Sequence, residues 1–141
     1  MNYQEIFLKL IAHLRLMSDY SQSCHHNAKG SLFFQDHEAL GVFYSQLVND
    51  FDRSAEKYVS LYGAYNFQSL VQHMSQKQLP SGEQKENKVL FSALLGLEKE
   101  LSSMIEMLIK QGGYSEGCKN LISDIGTNSE SRQYKINRRI M

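Results

Sequence analysis

The chain holds a single proline, Pro80, among its 141 residues. Proline ends or kinks helices, so little interrupts a helical pattern here. Cysteine is almost as scarce, and Cys24 and Cys118 show no metal-ligand pairing. Two lone thiols suit a reducing compartment, so a cytoplasmic location is expected and a disulfide between them is disfavoured. Net charge is absent, with 15 basic residues set against 15 acidic ones. That balance argues against a protein that grips nucleic acid over its whole surface. No apolar run approaches the ~18 residues of a membrane span, so no membrane partner is expected. The opening residues Met1-Asn2-Tyr3-Gln4-Glu5 lack the basic-then-apolar form of a signal peptide, and none is expected. A hydrophobic content of 42% with 21% charge favours a folded chain over a disordered one. The length suits one domain, residues 1–141, with a core large enough to need no staples.

What fills the chain is helical periodicity. Asn2 and Glu5 read as an N-cap and a third-position acid, followed by Ile6, Leu10, Leu14, Met17 and Ser21 at 3–4 spacing. The pattern predicts helix A over roughly 3–28, ended by a reversal at Gly30. Helix B is predicted over about 32–62, with Phe33, His37, Leu40, Tyr44, Leu47, Phe51, Ala55, Tyr58 and Tyr62 as its seam and Gly63 beyond it. Residues 63–81 form a long connection, in which Phe67, Leu70, Val71 and Met74 mark a short helix at about 66–76. Ser81 and Gln84 resemble a capping box, which predicts helix C over about 82–111 with Leu90, Leu94, Leu97, Leu101, Met104 and Leu108 inward. Gly112 and Gly113 stop it. Helix D, about 115–138, is weaker, with Leu121, Ile122, Ile125 and Tyr134 as its face. Short A–B and C–D loops imply two antiparallel hairpins. The B–C link must run the bundle's length, ~40 Å at helical rise. The expected class is all-α: a ferritin-like four-helix bundle with one crossover and a short extra helix in it.

Chemistry concentrates at His25-His26-Asn27-Ala28-Lys29-Gly30, at His37, and at Asp52-x-x-x-Glu56. Imidazole and carboxylate are ligands for iron and other first-row metals. The A–B turn should bring His25 and His37 to similar heights. Asp52 and Glu56 share a helix face one turn apart. His37 and Asp52 stand fifteen positions apart, which is ~22 Å along a helix. One chain cannot close this ligand set, so a site built from all four residues needs a second copy. The bland alternative is a hydrogen-bonded histidine on a seam and a solvated charged face, since Arg53 and Lys57 flank the two acids. His13 and His73 lack a carboxylate at useful spacing and are not assigned as ligands.

The segment Ser23-Cys24-His25-His26-Asn27-Ala28-Lys29-Gly30, then Phe33, His37-Glu38 and Asp52-Arg53-Ser54-Ala55-Glu56, resembles the Dps family of ferritin-like mini-cages, without a gap from Ser23 to Glu56. The short helix in the B–C connection is a second resemblance. The resemblance implies a homo-oligomer of twelve subunits around a cavity, with iron oxidised at intersubunit sites, usually by peroxide, and stored as mineral. It implies His25 and His37 as ligands from one subunit and Asp52 and Glu56 as ligands from its partner. Protection of DNA from oxidative damage follows from that chemistry.

Three features depart from the family pattern. Gly41 replaces an acid one turn beyond His37, which weakens a second metal position. Gly41→Asp is therefore expected to speed peroxide-dependent iron oxidation. His26 replaces the usual tryptophan and reads better as a turn residue than as a ligand. No Lys-rich extension precedes the first helix, so DNA binding rests on Arg132, Lys135, Arg138 and Arg139, a modest basic patch without a nearby acid. The Glu-x-x-His signature of a metal site inside one bundle is missing. Three functions compete: a ferroxidase and iron-storage cage, a Dps-like structural shell or DNA-associated assembly that has lost oxidation, and a plain helical-bundle adaptor. Particle mass separates the third from the others, and iron titration separates the first from the second.

Overall fold

The computed structural model describes residues 2–141. Its elements are α1 (Tyr3–Asn27), α2 (Phe33–Tyr62), α3 (Phe67–Ser75), α4 (Asn87–Gln111) and α5 (Glu116–Ile140), with no strand among the described residues. Three of the five starts are capped by a side chain. The Asn2 side chain accepts the Glu5 amide at 2.8 Å, Asn66 accepts Ser69 at 3.0 Å, and Ser115 accepts Cys118 at 3.2 Å. These bonds satisfy amides that a helix start leaves without a partner. Gly30 and Gly63 adopt φ of 86° and 87°, a region that costs a side chain, and so reverse the chain after α1 and α2.

Helices α1 and α2 pack as one hairpin and α4 and α5 as another, while α1 also meets α4 and α2 meets α5. The crossover between the hairpins carries α3, which lies on α1. This is the ferritin-like arrangement that the loop lengths predict. The core is aliphatic and continuous, with Phe7, Leu10, Ile11, Leu14, Met17, Leu40, Leu47, Leu90, Leu101 and Leu108 fully buried. Each such side chain contributes about 1.5–3 kcal/mol by leaving water.

Several expectations need correction. Helix α4 begins at Asn87, not near 82. Residues 81–86 form turns instead, closed by the Gln84 and Lys85 amides on the Ser81 carbonyl. Tertiary contacts override the capping pattern here. Gly82 lies so close to Asn27 that a Cβ would sit 2.5 Å from the Asn27 Cβ, and the Lys29 ammonium donates to the Gly82 carbonyl. Tyr134 faces solvent at 62% exposure, and Ile136 takes the inward place in α5. The basic C-terminal patch is smaller than expected. Arg132 is only 1% exposed and binds Glu98, and Arg139 forks onto Asp36. Helix α3 turns Leu70 inward, leaving Phe67 and Val71 as its exposed apolar residues.

Candidate metal centre

The α1–α2 turn places His25 and His37 face to face. Their ring centroids are 3.8 Å apart and nearly parallel, at 16°. Each ring is held by the other residue's backbone. His25 Nδ1 lies 2.6 Å from the His37 carbonyl, and His37 Nδ1 lies 2.8 Å from the His25 carbonyl. A carbonyl can only accept, so both neutral rings carry the proton on Nδ1 and leave a lone pair on Nε2. That is the tautomer a metal ligand needs, fixed in advance by the backbone. Phe33 extends the stack, with its ring 5.1 Å from His37 at 23°.

Gly41 makes this arrangement fit. A Cβ at Gly41 would stand 3.0 Å from His25 Cε1 and 3.1 Å from its Nδ1. The place that a side chain at 41 would enter is thus filled by the His25 ring. His26 is exposed, with its ring 5.7 Å from His25 and tilted by 51°. Tyr44 is half-buried, with its ring 6.0 Å from His25.

Asp52 and Glu56 are exposed on α2, away from the histidines. Their flanking cation does not neutralise Asp52. Arg53 turns instead to Asp50 at 2.7 Å and Asp124 at 2.8 Å. Among the described residues, no three His, Cys, Asp or Glu side chains converge to hold a metal ion within one chain. The four candidates therefore stand as two pairs. His13 and His73 belong to neither: His13 Nε2 donates to the Leu97 carbonyl at 2.7 Å inside the core.

Two buried charged clusters support the bundle around these pairs. In the first, Asp36 accepts both arms of Arg139, at 3.0 and 2.8 Å, and the Asn87 amide at 2.9 Å. Asn87 also exchanges hydrogen bonds with the Lys29 backbone, at 3.0 and 2.7 Å. This latch ties the α1–α2 turn to the starts of α2 and α4 and the end of α5. Burial works to raise the Asp36 carboxyl, but its bonds to Arg139, Asn87 and Gln35 hold it below the usual carboxylate range. In the second, Arg132 binds Glu98 at 2.5 and 3.0 Å and approaches Asp50 at 4.0 Å. Burial pushes the Glu98 carboxyl up against the pull of Arg132. Sequence reasoning missed both clusters, although a signal existed. Asp36-Leu40-Phe43-Leu47-Asp50, Leu94-Glu98-Leu101 and Ile125-Ser129-Arg132-Ile136 each keep the charge in phase with the buried stripe.

No family model matches the chain, and no curated protein matches it. Solved structures do. A histidine-to-glycine variant of Listeria innocua Dps superposes with a TM-score of 0.87 at 16% identity, covering 99% of this chain and 94% of that one. A second such variant gives 0.86 at 16%, over 99% and 96%. Dps92 from Deinococcus radiodurans gives 0.84 at 15%, over 96% and 84%. Dps from Vibrio cholerae O1, a member of a broad superfamily of ferritin-like diiron-carboxylate proteins, gives 0.69 at 19%, over 99% and 89%. At these identities the shared property is the fold. Among the described residues, no helix is long and apolar enough to cross a membrane.

Proposed function

We propose that this chain is a divergent Dps-type protein that assembles with copies of itself, twelve in the family's closed form. At sites between subunits it binds Fe(II) as a substrate and oxidises it with peroxide for storage as mineral. The observation that carries this reading is the His25–His37 pair, two stacked imidazoles with Nδ1 committed to backbone carbonyls and Nε2 left for a ligand. The fold of the solved Dps structures supports it. So does spacing: the two histidines replaced in the Listeria innocua variants stand twelve positions apart, as His25 and His37 do.

The chain's own residues then divide the work. His25 and His37 give neutral nitrogen donors from one subunit. Asp52 and Glu56 give anionic oxygen donors from a partner whose α2 packs antiparallel, and a two-fold contact forms the site twice. The carboxylates offset the cation's charge and favour the ferric state after one electron has left. Oxidation in a protein site keeps hydroxyl radical from forming beside DNA, which is the protective role.

The test is Fe(II) titration with sedimentation. Wild type is expected to bind iron saturably as a large homo-oligomer. Asp52→Ala with Glu56→Ala should abolish saturable binding without loss of helix. Iron binding by the double variant equal to wild type, or a stable monomer at micromolar concentration, overturns the reading. The second reading, a shell without oxidation, is favoured by Gly41 alone; iron binding without peroxide-driven turnover would support it. DNA contact has little backing, because Arg132 and Arg139 are spent on Glu98 and Asp36.

A further inference from the structure

We propose that Tyr44 gives the second electron when peroxide is reduced at the His25–His37 site, an inference that rests on the ferroxidase reading above. Hydrogen peroxide takes two electrons to become water, and one Fe(II) gives one. A second iron needs ligands of its own, and at position 41, one turn beyond His37, this chain has no side chain. The His25 ring covers that backbone instead, 3.0 Å from where a Cβ would be. The next residue along the same stripe of α2 is Tyr44, one turn past Gly41. Its ring centroid lies 6.0 Å from that of His25, tilted by 42°, and the side chain is only half-buried. Phenol is an oxidisable group that loses a proton as it loses an electron.

Other tyrosines are placed for different work. Tyr20 donates its hydroxyl proton to the Pro80 carbonyl at 2.7 Å, and burial raises its pKa. Tyr62 and Tyr114 share a hydrogen bond of 3.0 Å beside Phe7. Tyr44 is the tyrosine whose ring pairs with a candidate ligand.

The step balances. One Fe(II), one Tyr44 phenol, one hydrogen peroxide and one solvent proton give Fe(III), one neutral phenoxyl radical and two waters. Iron and phenol each lose one electron. The O–O bond breaks, and the phenol proton joins the solvent proton on the two oxygens. Without Tyr44, transfer of one electron from Fe(II) would cleave peroxide to hydroxide and hydroxyl radical. The tyrosine therefore holds on the protein an oxidising equivalent that would otherwise diffuse.

The experiment compares wild type with Tyr44→Phe, which keeps the ring and its packing. Both oligomers are loaded with one Fe(II) per subunit, mixed with one equivalent of hydrogen peroxide, and freeze-quenched for electron paramagnetic resonance. Fe(III) absorbance and a hydroxyl-radical spin trap are read in parallel. The expected result is a phenoxyl signal in wild type that is lost in Tyr44→Phe, where spin-trap adduct rises while Fe(III) still forms. Fe(III) without a phenoxyl signal in wild type, or the same signal in Tyr44→Phe, overturns the role of Tyr44 and leaves the ferroxidase reading standing. No Fe(III) in wild type overturns both.

Discussion

Gly41 shows how much can hang on a missing side chain. Its Cβ-less backbone lets the His25 ring reach the His37 carbonyl, the helical acceptor one turn before Gly41. Gly41→Ala should gain up to ~1 kcal/mol of helix propensity and lose part of it in displacing the ring by a few tenths of an ångström. Stability is then nearly unchanged, while on the proposed function Fe(II) affinity falls roughly tenfold because His25, the proposed ligand, loses its orienting bond. Calorimetric titration of both proteins checks this. Gly41→Asp displaces the same ring but adds a carboxylate, so it should oxidise iron faster than Gly41→Ala. The rise over wild type expected from sequence is reduced by the displacement. Arg132 is the opposite case, a large charged side chain 1% exposed. Arg132→Met leaves Glu98 buried without its cation, while Asp50 keeps Arg53, and should cost about 3–5 kcal/mol. Urea unfolding of that variant, and of Arg132→Met with Glu98→Met, separates the pair's net worth from the cost of stranding one partner.

At the level of elements, the periodic parts were legible and the tertiary latches were not. The 3–4 rhythm placed all five helices because apolar spacing alone reports it. The start of α4 escaped, since Ser81 and Gln84 show nothing of Gly82 meeting Asn27 or of Asn87 meeting Lys29 and Asp36. The inward Asp36, Asp50, Glu98 and Arg132 escaped because a charged residue reads as surface until its distant partner is known. The histidines were legible by spacing, but their stacking and reciprocal carbonyl bonds depend on two backbones meeting. The latch has a pH signature. The folded Asp36 carboxyl is held below its ordinary value, so its stabilisation is complete above the usual carboxylate pKa near ~4 and is lost as pH falls through the depressed one. Asp36→Asn should remove that slope in acid unfolding curves. Helix α3 should respond at milder acidity. Burial depresses His13 and His73, and each also has a buried ring nitrogen without a hydrogen-bond partner. Their contribution is full above the ordinary histidine pKa near ~6.5 and lost as pH falls through the lowered values. Amide exchange in α3 should therefore accelerate on acidification before that of α1 or α4. His73→Gln should move that onset to lower pH; an unchanged onset would assign the effect to His13.

For the molecule as a whole, the crossover is the feature with the widest reach. It joins two hairpins, α1–α2 and α4–α5, each built from contacts between neighbours in the chain. Between the two hairpins, the faces α1–α4 and α2–α5 demand that distant segments meet, as the α1–α3 contact does within the first half of the chain. Such a layout separates quick local zippering from one slower docking event. Continuity of the peptide between Ser75 and Asn87 is then a matter of effective concentration rather than of architecture. A polypeptide cleaved there should yield two fragments that find each other when mixed and regain the helical spectrum of the intact chain. The rate of that recovery should rise with fragment concentration, while the intact chain refolds at a rate independent of it. Stopped-flow circular dichroism over a dilution series reads the difference directly. A nick in this strap would leave the fold a two-piece assembly whose lifetime is set by dissociation instead of by unfolding.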